Sequence, residues 1–189
     1  MAAVDEFMSI YREALPVLLV ALAGGLFSGL ILEAIIERVA SFPGLLVAVP
    51  VFLATRGNVY GALGGRISSG LHQGLIEPRF QRDDRLINAM VASFVNAVSM
   101  SIVIATLTWV ALGLLGWESA SLLEFVAILL GASVLTSVVL IFGLLLVIFA
   151  GYKRGYDPDN LVGPVVTTLG DIFGMLFLLL ATIIVGVLL

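Results

Sequence analysis

Apolar residues do not alternate along this chain. They gather into long runs at Leu15 to Ile36, Phe42 to Gly65, Leu86 to Trp117, Leu122 to Tyr152 and Leu161 to Leu189, separated by short polar stretches. A hydrocarbon core about 30 Å thick takes roughly 20 residues of helix at about 1.5 Å each, so every run is long enough to cross it. The pattern predicts an all-α integral membrane protein with five transmembrane helices per chain. The third and fourth runs exceed one crossing and predict tilted or protruding ends. Residues 1–13 read as a short polar N-terminal tail, and residues 14–189 as one five-helix transmembrane domain.

With 61% hydrophobic and 12% charged residues and a mean hydropathy of +1.19, the chain is too apolar to cover its surface in water. The lipid bilayer is therefore its first expected partner. Its length leaves no room for a separate soluble domain, and hence for a cytosolic sensor. The acidic opening residues lack the basic region of a removable leader, so the first helix is expected to stay. Cysteine is absent, which excludes disulfides and thiolate metal sites and leaves oxygen ligands for any cation. The net charge of −4 lies mostly in short loops, and no nucleic-acid partner is expected.

Orientation follows from the basic residues. Arg66, Arg79, Arg82 and Arg85 come after the second run, Lys153 and Arg154 after the fourth, and Trp117 to Ser121 carries none. Cytoplasmic loops collect Lys and Arg, which predicts a multi-pass protein of the cell membrane with its N-terminus cytoplasmic and Leu189 outside. An odd number of crossings makes two copies inserted the same way parallel, related by an axis along the membrane normal.

Charge inside the spans is what a passive anchor would lack. Asp171 lies about 15 Å into the fifth helix, near the midplane, where an aspartate costs roughly 2.5 to 3.5 kcal/mol and must face protein or water. Pro164, Thr167, Thr168 and Gly174 stand seven, four, three and three residues from it, on one helical face. Threonine hydroxyls, and carbonyls loosened at Gly163-Pro164, are neutral oxygens of the kind a hard cation takes. Magnesium sheds water reluctantly and suits a few carboxylates reading a hydrated ion. Asp171 has a second reading as the structural partner of Arg56, an arginine inside the second span. Beside it, Gly57-Asn58 is a polar break that could line a pore, with Asn58 offering its amide oxygen.

Gly57, Gly61 and Gly65 repeat every four residues, as do Gly25 and Gly29, and Gly170 and Gly174; all predict close helix contact. Glu33, near the outer end of the first helix, is either a ligand at the mouth or a residue reaching the interface. Asp157, Asp159 and Asn160 either draw cations to the inner mouth or cap the fifth helix. His72 is expected to be solvated in a polar loop. Glu77, Asp83 and Asp84, interleaved with Arg79, Arg82 and Arg85, read as a solvated face.

At the second and fifth helices the sequence resembles the membrane domain of MgtE-type magnesium transporters and, more closely, solute carrier family 41. Pro50, Gly57-Asn58 and Arg66-Ile-Ser-Ser match the family's second-helix motif. Asp157-Pro158, Gly163-Pro164, Thr167-Thr168 and Asp171 match that of the fifth, in the same order and spacing. The resemblance implies a homodimer with a pore at its twofold axis, Asp171 of each subunit at a central site for hydrated magnesium, and the Asn58 region beside it. Eukaryotic members join two such domains in one chain, so this single domain is expected to pair with itself. It departs from bacterial members in having no counterpart of their magnesium-sensing cytosolic region, and from the solute-carrier branch in carrying Arg56 where a lysine is usual.

Together these readings predict divalent-cation transport, magnesium before manganese, cobalt or calcium. The expected metal-binding set is Asp171, Asn58, Gly57, Thr167, Thr168, Gly163, Asp157 and Glu33. The alternative is a non-transporting assembly or regulatory module in which Asp171 and Arg56 form a structural ion pair. An enzyme is not expected: only one aspartate lies deep, and no His-Glu helix motif occurs.

Overall fold

The computed structural model describes residues 2–188, with the helical backbone alone for residues 2–6, 9, 10 and 13; Met1 and Leu189 lie outside the described residues. Five helices follow one another: α1 (Ala2–Ala40), α2 (Leu45–His72), α3 (Asp84–Leu115), α4 (Leu122–Lys153) and α5 (Pro158–Leu188). All five are long and apolar enough to cross a membrane, as the hydrophobic runs predict. The ends differ from those runs. Helix α1 is already helical at Ala2, so the polar opening residues continue it. Helix α2 runs on past Gly65 through Arg66, Ser68 and Ser69, which makes His72 its last residue rather than part of a loop.

Local chemistry sets where each helix stops. Between α1 and α2 the chain turns at Pro43 and Gly44, the latter with φ of 83°. A Cβ there would also run into the Leu112 side chain, so both backbone and packing call for glycine. Asp83 caps α3 by accepting from the amides of Arg85 at 2.8 Å and Leu86 at 3.2 Å. Ser121 and Glu124 form a reciprocal capping box at the start of α4. Gly155, with φ of 84°, turns the chain between α4 and α5, and Pro158 opens α5, where its missing N–H costs nothing.

The helices bury two apolar clusters, one toward each end of the bundle. The first joins Phe52, Phe125, Leu129 and Leu178, and the second Tyr60, Leu63, Leu144, Leu145 and Val166. Helix α4 packs on α3 and α5. Helices α1 and α2 both pack on α5 but meet each other little, so part of α5 is left uncovered between them.

The glycine repeats of α1 and α2 are not used inside the chain. A Cβ on Gly25, Gly29, Gly57, Gly61 or Gly65 would meet nothing within 4 Å. Close packing falls instead to Gly24 against Thr168 and Gly64 against Val162, where a Cβ would overlap the neighbouring side chain. Of the predicted pairs only Gly170 and Gly174 face another helix, packing on Arg56, with Leu53 also against Gly174. A four-residue repeat marks one helical face, and it does not say whether that face turns inward.

Candidate functional site

Asp171 stands fourteen positions into the 31-residue α5, close to its middle, and is half-buried. Its main-chain oxygen accepts from the Ser28 hydroxyl of α1 at 2.9 Å, which ties the two helices together at this level. Among the described residues its carboxylate makes neither a hydrogen bond nor an ion pair. An aspartate inside a span needs water or protein against its carboxylate.

The residues predicted around it divide. Helix α5 passes through Gly163-Pro164 without a break, and the exposed Thr167 hydroxyl donates back to the Gly163 oxygen at 2.9 Å. Gly163 and Thr167 therefore lie on one exposed strip near Asp171, with the threonine oxygen still able to accept. Thr168 turns the other way, its methyl lying against Gly24 of α1. On α2, Gly57 and Asn58 are exposed, with open space beside Gly57. Glu33 is exposed on α1. Five residues beyond Ser28, it points about 140° away around the helix, so α1 does not aim both residues at one place.

Arg56 does not pair with Asp171. Only 4% exposed, it donates from Nη1 to the Phe52 oxygen at 2.7 Å, and its guanidinium lies over the Phe52 ring, 3.1 Å from the centroid. Nε and Nη2 are buried without a partner. The side chain crosses the glycine face of α5, where a Cβ on Gly174 would stand 3.7 Å from Arg56 Cδ. The cation thus sits one face round from Asp171, held by an aromatic ring and a carbonyl rather than by a carboxylate.

A second group of ligand atoms lies where α2 ends and α5 begins. His72 Nε2 is 3.6 Å from Asp157 Oδ1, Asp159 accepts from the Ser68 hydroxyl at 2.5 Å, and the Asp159 amide donates to Asp157 at 2.9 Å. One ligand atom each from His72, Asp157 and Asp159 lie within 4.8 Å of one another, all exposed. Asp157 caps α5 through the Asp159 amide, and its carboxylate is exposed beside His72. His72, expected to be solvated in a loop, is exposed but ends α2. The Ser68 and His72 spacing of four residues puts both on one face once α2 is carried past Gly65. Asp157 and Asp171 are fourteen residues apart, about 21 Å along α5, so carboxylates stand at one end and in the middle of the same helix.

Comparison with known proteins bears on this arrangement. A family profile described as a divalent cation transporter, MgtE, matches residues 49–181. Among curated proteins, solute carrier family 41 member 2 of Homo sapiens is 27% identical over 140 residues, covering 71% of this chain and 24% of its own length. Solute carrier family 41 member 3 of Rattus norvegicus is 28% identical over 175 residues, covering 89% and 37%. The chain thus spans between a quarter and somewhat over a third of the length of these relatives. No solved structure matches it at a significant level. The matched region runs from the middle of the first proline-containing turn of α2 to the last third of α5 and takes in both glycine–asparagine and aspartate motifs; this chain belongs to the MgtE family of divalent cation transporters.

Proposed function

We propose that the chain carries a divalent cation, magnesium foremost, across the cell membrane, and that it does so as a homodimer of parallel subunits. The observation that carries this reading is the Asp171 carboxylate, half-buried at mid-helix and unpartnered among the described residues, beside a strip of α5 that neither α1 nor α2 covers. A lone carboxylate there is costly unless water, an ion or a second protein surface reaches it. The outward glycines of α2, with Asn58 among them, give a flat face on which a second copy can pack closely. Two Asp171 carboxylates meeting across a twofold axis then supply the charge that a hydrated divalent ion needs, with Thr167 and Asn58 oxygens available to its water shell. Asp157 gathers cations at the end where the basic loops lie, which the distribution of Lys and Arg makes cytoplasmic.

Flux of magnesium into liposomes carrying the purified chain is the direct test. Wild type is expected to pass the ion and Asp171→Asn to lose most of the flux at equal reconstitution and equal dimer content. Undiminished flux in the variant would remove Asp171 from the pathway, and no flux in wild type under any divalent gradient would end the transport reading.

A further inference from the structure

A groove of about 830 Å³ runs between α1, α4 and α5, on the flank of α5 away from Gly57 and Asn58. Its walls are apolar, formed by residues such as Val17, Val20, Leu146 and Leu169, and its mouth carries Arg12, Arg154 and Tyr156. Arg12 to Val20 on α1 and Leu161 to Leu169 on α5 each span nine residues, so the groove descends about 12 Å along the helices. That is most of one leaflet of a hydrocarbon core about 30 Å thick. Both arginines are exposed, and among the described residues neither side chain forms an ion pair or a hydrogen bond. A neighbouring hollow on the other side of α4 adds Lys153 at the same level.

We infer that this groove is a binding site for an anionic phospholipid, its phosphate held between Arg12 and Arg154 and one acyl chain laid along the wall toward Leu169. Charge and shape agree on that occupant. Paired guanidinium groups match a phosphate, a tyrosine at the rim suits the headgroup level, and basic pockets between membrane helices select acidic lipids. A soluble phosphate would use the mouth and leave the apolar wall unfilled; a second copy of the chain would have to bring a carboxylate to two arginines. The seated chain would brace α1 against α4 and α5 behind Thr168, on the back of the helix that carries Asp171.

Native mass spectrometry of the full chain in detergent tests the site, with phosphatidylglycerol, phosphatidylcholine of the same acyl chains, and glycerol phosphate as probes. Wild type should retain phosphatidylglycerol over both others. The double variant Arg12→Gln/Arg154→Gln should retain it about 30-fold more weakly, while Arg82→Gln, changed in an exposed loop outside the groove, should behave as wild type. Since Arg12 and Arg154 are exposed, the double variant is expected to fold. Equal retention of phosphatidylcholine by wild type, an unaffected double variant, or glycerol phosphate bound as well as the lipid would each overturn the inference. So would a double variant that loses lipid only together with its dimer, which would assign the groove to a second copy.

Discussion

At the scale of single residues, the sign of one substitution separates two readings of Arg56. Were this arginine the partner of Asp171, Arg56→Met would strand a carboxylate and cost roughly 3 to 5 kcal/mol. In the structure it has one carbonyl and one aromatic ring for company, with two nitrogens unpaired. Removing a buried charge that lacks a counterion relieves desolvation, so Arg56→Met should leave stability unchanged or raise it by on the order of 1 kcal/mol. The thermal midpoint in detergent decides, and a fall of many degrees would restore the ion pair. Arg56 also shows where reading the sequence stops. That an arginine and an aspartate lie inside the spans of neighbouring helices was legible, because charge inside a span is conspicuous. Which way each turns was not, because that depends on the glycine face of α5 and on Phe52 one turn earlier in α2. Asp171 was singled out for the same reason of conspicuous charge, and His72 was placed in a loop because the apolar run was ended at Gly65, short of Ile67 and Leu71.

Between helices, glycine identity matters only where a neighbour touches. Gly64→Ala would drive its Cβ into Val162, and overpacking of this kind costs typically 1 to 3 kcal/mol. Gly61→Ala meets nothing within 4 Å inside the chain and should not lower the stability of the monomer. It should weaken self-association if the outward face of α2 carries the dimer contact. Unfolding and association measured on both variants give a crossed pattern: Gly64→Ala lowers the melting temperature, and Gly61→Ala shifts the monomer–dimer equilibrium. A Gly61→Ala protein that melts early yet dimerises normally would place the face inside the fold. The five helices themselves were readable from hydrophobic run length alone, because in lipid every backbone polar group must be satisfied within its own helix. Register around each helix was not, since a glycine repeat is the same whether it faces a neighbour or the bilayer.

For the whole molecule, the proposed dimer makes cation binding and assembly one equilibrium. Two carboxylates brought together at a twofold axis repel when empty, and a divalent ion between them removes that repulsion and adds attraction. A ligand that binds only the assembled form stabilises it by about 2.7 kcal/mol at one hundred times its dissociation constant, a shift of roughly 100-fold in the association equilibrium. Energy transfer between labelled chains in detergent should therefore rise as magnesium is added at fixed ionic strength, and should not respond to the same ionic strength of potassium chloride. Asp171→Asn removes both the repulsion and the ligand. Its dimer should be less sensitive to magnesium, and no weaker than the wild-type dimer when the ion is withheld. The second set of ligand atoms gives the opposite outcome a meaning. An equal magnesium response in Asp171→Asn would move the linked site to Asp157, Asp159 and His72, whose ligand atoms lie close together within one chain. Asp157→Asn would then abolish the response, leaving Asp171 without a role in assembly.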